Sequence, residues 1–203
     1  MKVKIAQSVD EKAWDALVAE ASGGHFFQSA AWAALQREYF GVKNYFFTVE
    51  DPSVSKPLAL MRADRESPLN RWLFEKPLSS ATVPLADRLS AEVSVKYGPL
   101  YLGSPGRQDK ARMFSLLLDS LESHCRSQGV VSLKGAFGSI YGAEEEDHDQ
   151  SEIKETLQAG GYRATKAATF LVDLRPDEDT LWRNLKQSAR KAVRHGREQG
   201  ITV

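Results

Sequence analysis

Cysteine is nearly absent from this 203-residue chain: Cys125 is its only one, so no disulfide can form within the chain and nothing implies an oxidising compartment. Long apolar runs are missing as well. Stretches such as Leu58-Ala-Leu-Met61 and Leu116-Leu-Leu118 are a few residues long, whereas a membrane-spanning helix needs about 20. The N-terminus, Met1 to Trp14, has no apolar run fit for a signal peptide. The expected location is therefore cytoplasmic, with membrane contact at most peripheral. An excess of one charge sign is also lacking: 27 Lys and Arg balance 27 Asp and Glu, which excludes a histone-like polycation. The sequence has no Walker A loop, no G-x-S-x-G elbow and no G-x-G-x-x-G fingerprint. His25, His124, His148 and His195 lack zinc-ligand spacing, so neither a metal nor another cofactor is expected.

What remains is an ordinary globular composition, 42% apolar and 27% charged. The length suits one large domain, or one domain and part of another. Trp14, Leu17, Val18 and Ala21 predict a helix over Glu11–Ala21, with Asp10 as its cap and Gly23-Gly24 as its stop. A second helix follows Ser29 and ends before Gly41. Strands are expected at Lys43–Val49, Leu58–Ala63, Arg71–Glu75 and Val93–Leu102, the last interrupted at Gly98-Pro99. Met113, Leu116, Leu117, Leu121 and Cys125 mark a long helix that Gly129 closes, followed by a short strand at Val130–Leu133. The acidic run Glu144–Asp149 precedes a short helix around Ile153–Leu157. Thr169–Leu174 reads as a strand, and a single helix is expected from about Glu178 to Gln199. The fold class that fits is α/β, with a mixed sheet flanked by helices. Ile201-Thr-Val203 barely begins a strand, which favours a fragment of a longer protein.

Three constellations could carry chemistry. Arg183, Lys186, Arg190, Arg194 and Arg197 recur at three- and four-residue steps, which would put them on one helix face. Such a face suits phosphate, because each guanidinium donates two parallel hydrogen bonds; the alternative is a solvated basic face that answers the acidic run. The second constellation is Phe26–Arg37. Phe26 and Trp32 are expected in the core, Gln28 should satisfy local backbone groups, and Gln36 and Arg37 could face a ligand. The third is Lys96-Tyr-Gly-Pro99, where a strand glycine marks either a bulge open to a ligand or a structural edge. Neither pattern nor spacing names a catalytic residue.

Taken in order, Phe26-Phe-Gln-Ser with Trp32, Tyr97-Gly-Pro99, Gly160-Gly-Tyr162, Thr169–Leu174, Leu181-Trp182, Asn184-Leu-Lys186 and Arg190-x-x-x-Arg194 resemble the FemABX peptidyltransferases, a branch of the GNAT-like acyltransferases. The resemblance implies a GNAT-like domain over 1–165 and the opening of a second, truncated one over 166–203. It implies transfer of an amino acid from aminoacyl-tRNA to the stem peptide of a peptidoglycan precursor, nucleotide- or lipid-linked. The substrate-binding residues it implies are Gln36, Arg37, Tyr97, Lys186, Arg190 and Arg194. Gln36 stands where the family often has Lys, and His195-Gly196 replaces the usual basic-Ala continuation. Two rivals stand beside this reading. One is a CoA-dependent N-acyltransferase using Tyr101–Gly106 as its pyrophosphate loop, although Pro105 removes an amide; the other is a non-enzymatic RNA- or anion-binding module. Truncation would also expose Trp182, Leu185 and Val193, giving a route to a homodimer.

Overall fold

The computed structural model describes residues 1–67, 89–136, 147–163, 165 and 175–200, with side chains of the fourth helix described from 153 onward. The strands expected at Arg71–Glu75 and Thr169–Leu174, residues Ile201–Val203 and the side chains of the acidic run lie outside that set. The chain divides into two compact units, Met1–Ala164 and Thr165–Val203.

In the first unit, β1 (Lys2–Ala6) leads into α1 (Glu11–Glu20), where the Asp10 carboxylate accepts the Ala13 amide at 3.0 Å. A short 3₁₀ turn, Phe26–Gln28, precedes α2 (Ala30–Phe40). Ser29 Oγ accepts the Trp32 amide at 3.0 Å and so caps α2, while Gly41, at φ 64°, ends it in the left-handed region. Then come β2 (Lys43–Glu50), β3 (Ala59–Glu66), β4 (Glu92–Lys96), β5 (Leu100–Tyr101), α3 (Arg107–Ser127), β6 (Ser132–Ala136) and α4 (Asp147–Ala159).

The sheet order is β1-β2-β3-β4-β6, with β5 also paired to β3. β1 to β4 run antiparallel to their neighbours and β6 runs parallel to β4. The parallel pair requires a crossover, which α3 supplies. This is the expected mixed α/β architecture, a mixed sheet flanked by helices.

Strand alternation sorts the side chains between two cores. Tyr45, Phe47, Val49, Met61, Val93 and Val95 pack with Met113, Leu117 and Leu121 of α3. On the other face, Phe46 and Leu60 meet Trp14 and Val18 of α1 and Ala30 and Ala33 of α2. β1 was not anticipated from the sequence. Its Lys2 and Lys4 are exposed, as suits an edge strand guarded by lysines.

The second unit has two helices, α5 (Glu178–Asn184) and α6 (Gln187–Glu198), where a single one was expected. Leu185 and Lys186 take extended conformations, with ψ of 140° and 148°. Asn184, a weak helix former, is the last residue of α5. The five-residue basic face is therefore interrupted.

Candidate functional site

The strand pairing locates an irregularity in the first unit. Leu60 pairs with Leu100 and Ala63 with Val95. Between those pairs β3 has Met61 and Arg62, while the facing chain has Lys96, Tyr97, Gly98 and Pro99. The surplus is thrown out as a bulge, with Tyr97 at φ 57° and a cis peptide between Gly98 and Pro99. A bulky residue in the left-handed region is uncommon and is held there by the surrounding pairing. The Tyr97 amide still donates to the Ala136 carbonyl at 2.9 Å, so the bulge is anchored to β6.

Aromatic rings gather beside it. His25 lies edge-on to Tyr97 at 4.8 Å between centroids, and Phe27 lies 6.2 Å from Tyr97. Phe26 and Phe27 are each 5.5 Å from Trp32. Phe26 is 58% exposed, Phe27 42%, and Trp32 half-buried, so the expectation that Phe26 and Trp32 belong to the core is corrected. The 3₁₀ turn holds Phe26 and Phe27 outward because its polar atoms are tied inward. The Trp14 indole donates to the Gln28 carbonyl at 3.0 Å, the Asp15 carboxylate accepts the Ala30 amide at 2.6 Å, and Gln28 Oε1 accepts the His25 amide at 3.2 Å. Gln28 thus serves the local backbone, as expected.

Behind the aromatic surface lies a buried polar network. Arg62 donates to the Ser29 carbonyl at 3.0 Å, to Gln36 Oε1 at 2.8 Å and to Asp64 Oδ2 at 2.8 Å. Asn44 donates to the other Asp64 oxygen at 3.0 Å. Gln36 is only 4% exposed, so it faces Arg62 rather than a ligand, its neutral amide oxygen accepting from the guanidinium without adding a second positive charge. This corrects the expected orientation of Gln36. Arg37, next to it, is exposed and free of any ion pair among the described residues. Arg62 and His25 carried no signal of their own in the sequence, because a lone Arg in an apolar strand and a lone His before an aromatic pair fit no spacing rule.

The surroundings of His25 disfavour its charged form. Burial lowers its pKa from the usual 6.5, and the Arg62 charge lowers it further. His124, packed on Tyr45 at 4.3 Å, is lowered by burial and then by Arg65. Among the described residues no group of three or more His, Cys, Asp and Glu is placed to hold a metal ion.

The Gly160-Gly-Tyr162 motif has a structural use. The Tyr162 hydroxyl donates to Glu122 at 2.7 Å and so ties the end of α4 to α3. It borders a groove of about 320 Å³ that also touches Cys125, Arg126, Val131 and Leu133. Burial pushes the Cys125 thiol up to about 11, which leaves it unreactive near neutral pH.

In the second unit, Arg190, Arg194 and Arg197 keep one face of α6, while Arg183 belongs to α5 and Lys186 stands at the break. Arg197 lies over the Trp182 ring at 6.0 Å and bridges the two helices. Lys186 and Arg194 are exposed and Arg190 is half-buried, its Nε enclosed without a partner. None of these three forms an ion pair among the described residues, and the side chains of the acidic run that the solvated-face reading sets opposite them lie outside that set.

The first unit thus has a mixed α/β fold with an aromatic surface beside a sheet bulge. No protein-family model and no curated protein matches the sequence. Among solved structures, one described as a probable acetyltransferase aligns at 10% identity and a TM-score of 0.46, over 87% of this chain and 100% of that one. An acetyltransferase of Trypanosoma brucei aligns at 14% identity and a TM-score of 0.45, over 84% and 98%. At likenesses of that size, fold and site rest on the chain's own geometry. Among the described residues no helix is long and apolar enough to cross a membrane.

Proposed function

We propose that the chain belongs to a GNAT-like acyltransferase that passes an aminoacyl group from aminoacyl-tRNA to an amine on the stem peptide of a peptidoglycan precursor. The observation that carries the reading is the Tyr97-Gly-Pro99 bulge with exposed Phe26, Phe27 and half-buried Trp32 beside it. A bulge frees backbone groups for a ligand, and aromatic faces hold sugar rings and apolar peptide side chains beside them. The family resemblance supplies the substrate class. Lys186, Arg190 and Arg194 would hold phosphates of the precursor or of tRNA, with Arg37 another exposed cation available to the acceptor. On this reading residues 1–165 form the first GNAT-like domain and 166–203 open a second.

The chemistry asked of such a site is attack of an amine on an activated ester. Holding the two together and stabilising the oxyanion would account for most of the acceleration. Titration with a nucleotide-linked muramyl pentapeptide tests the reading. Tyr97→Ala or Trp32→Ala should weaken binding about tenfold, which is roughly 1.4 kcal/mol. Equal affinity in wild type and both variants would reject the bulge as the acceptor site.

The CoA-dependent rival keeps one supporting observation. Gly106 starts the 21-residue α3 without a side-chain cap, so first-turn amides face the loop that would receive a pyrophosphate. Acetyl-CoA in the same titration separates the two readings.

A further inference from the structure

The 3₁₀ turn that carries Phe26 and Phe27 is anchored from two sides. From α1, the Trp14 indole donates to the Gln28 carbonyl and the Asp15 carboxylate accepts the Ala30 amide. From the sheet, Arg62 donates to the Ser29 carbonyl at 3.0 Å. Among the described residues, that bond alone ties the turn to a strand by hydrogen bonding.

Arg62 is placed to do more than close one bond. It is one of the two β3 residues that face the bulge across the ladder. Its guanidinium also reaches Gln36 Oε1 on α2 and Asp64 Oδ2 on β3, each at 2.8 Å, while Asn44 on β2 holds the other Asp64 oxygen. All four side chains are buried, so solvent does not readily replace a lost bond. A guanidinium presents its N–H groups in a rigid planar fork. Bonds to Ser29, Gln36 and Asp64 therefore fix the turn and α2 to β3 in one arrangement. The bulge is held separately, by the Tyr97 amide on the Ala136 carbonyl, and it lies against the turn: a Cβ on Gly98 would sit 3.8 Å from Gln28 Nε2. The 6.2 Å between the Phe27 and Tyr97 rings is thus set where the turn meets the sheet.

We propose that Arg62 is a positioning residue for the acceptor: it holds Phe26, Phe27 and Trp32 at the spacing from the Tyr97 bulge that binding requires, without touching the ligand itself. The proposal rests on the acyltransferase reading above and adds a residue that the resemblance does not supply. The physical reason is preorganisation. A surface shared between a helix layer and a strand bulge binds more tightly when its halves are in register beforehand, because ordering them on binding lowers affinity. A buried ion pair is weak ground for stability, since apolar side chains of similar volume often serve a fold as well. What the guanidinium supplies, and an apolar pair does not, is direction.

The test separates position from stability in the full chain. One variant combines Arg62→Met with Asp64→Leu, which removes both charges and keeps the bulk; the other, Arg62→Lys, keeps the charge and loses the fork. Urea unfolding, the nuclear Overhauser contact between the Phe27 and Tyr97 rings, and affinity for a nucleotide-linked muramyl pentapeptide are measured for each. The double variant should unfold near wild type, yet lose the ring contact and bind about tenfold more weakly. Arg62→Lys, titrated at a temperature where it is folded, should show the same two losses. A folded variant that keeps either the wild-type affinity or the ring contact makes the network structural only and overturns the proposal, while the acceptor reading stands. If the wild-type chain itself does not bind the peptide, the acceptor reading fails and takes the proposal with it.

Discussion

Arg62 and Asp64 place opposite charges 2.8 Å apart with side chains 2% and 1% exposed. Neither charge could be held there alone, because removing water from an ion costs several kcal/mol and only a well-bonded partner offsets it. Asp64→Ala leaves the guanidinium buried with Gln36 and the Ser29 carbonyl as its remaining partners. Urea unfolding should show a loss of about 3–5 kcal/mol. Arg62→Met together with Asp64→Leu should recover most of it, and failure to recover would mean that the network's hydrogen bonds matter more than its charge balance. The histidines contribute to the loss of stability on the acid side. His25 and His124 both have folded-state pKa values below the usual 6.5. The folded state therefore binds fewer protons than the unfolded chain between the folded values and 6.5. Their contribution is present above pH 6.5 and is lost as pH falls through the folded values. Chemical denaturation at pH 7.5 and pH 5 should show lower stability at pH 5, and His124→Leu should flatten part of that slope.

At the scale of elements, α3 is the most heavily loaded. Leu117 is 0% exposed and lies between Met113 and Leu121 against the sheet. Leu117→Ala should cost about 2–5 kcal/mol in the same unfolding measurement. A loss under about 1 kcal/mol would mean that the helix is not seated as described. That helix was legible because its apolar residues recur at helical spacing over more than three turns, from Met113 to Cys125, and α2 because Ser29 and Gly41 punctuate it at both ends. The bulge was half legible: Gly98-Pro99 marked a break in a strand, but only pairing with β3 reveals four residues facing two. Two features were hidden for different reasons. Lys2-Val-Lys4-Ile alternates, yet so short and so charged an edge strand resembles a polar tail. The division of α5 from α6 was invisible because Trp182, Leu185, Ala189 and Val193 keep helical spacing straight across it. The site suffered most, since aromatic composition argued for burial of Phe26 and Trp32 while the hydrogen bonds around the 3₁₀ turn hold that edge outward.

On the scale of the molecule, what separates a ligand-binding surface from an ordinary polar one is whether its charges are already answered. Lys186, Arg190 and Arg194 have no acidic partner among the described residues, and the apolar residues beside them, Leu185 and Val193, are each 40% exposed. If these cations serve phosphate, Arg190→Ala and Arg194→Ala should each weaken a phosphorylated ligand by about 1.5–3 kcal/mol, as expected for loss of a hydrogen bond to a charged group. The effect should shrink as salt rises, because exposed charges are screened over about 8–10 Å at ordinary ionic strength. Stability should change by less than about 1 kcal/mol, since neither side chain gives up an ion pair with a described residue. A solvated face with distant acidic counterparts predicts the opposite pattern: a small stability change, unchanged ligand affinity and no salt dependence of binding. Isothermal titration of the nucleotide-linked muramyl pentapeptide and of tRNA into wild type and both variants, at two salt concentrations, decides between them. Wild-type affinity in both variants for both ligands would return the arginines to the role of solubilising charge.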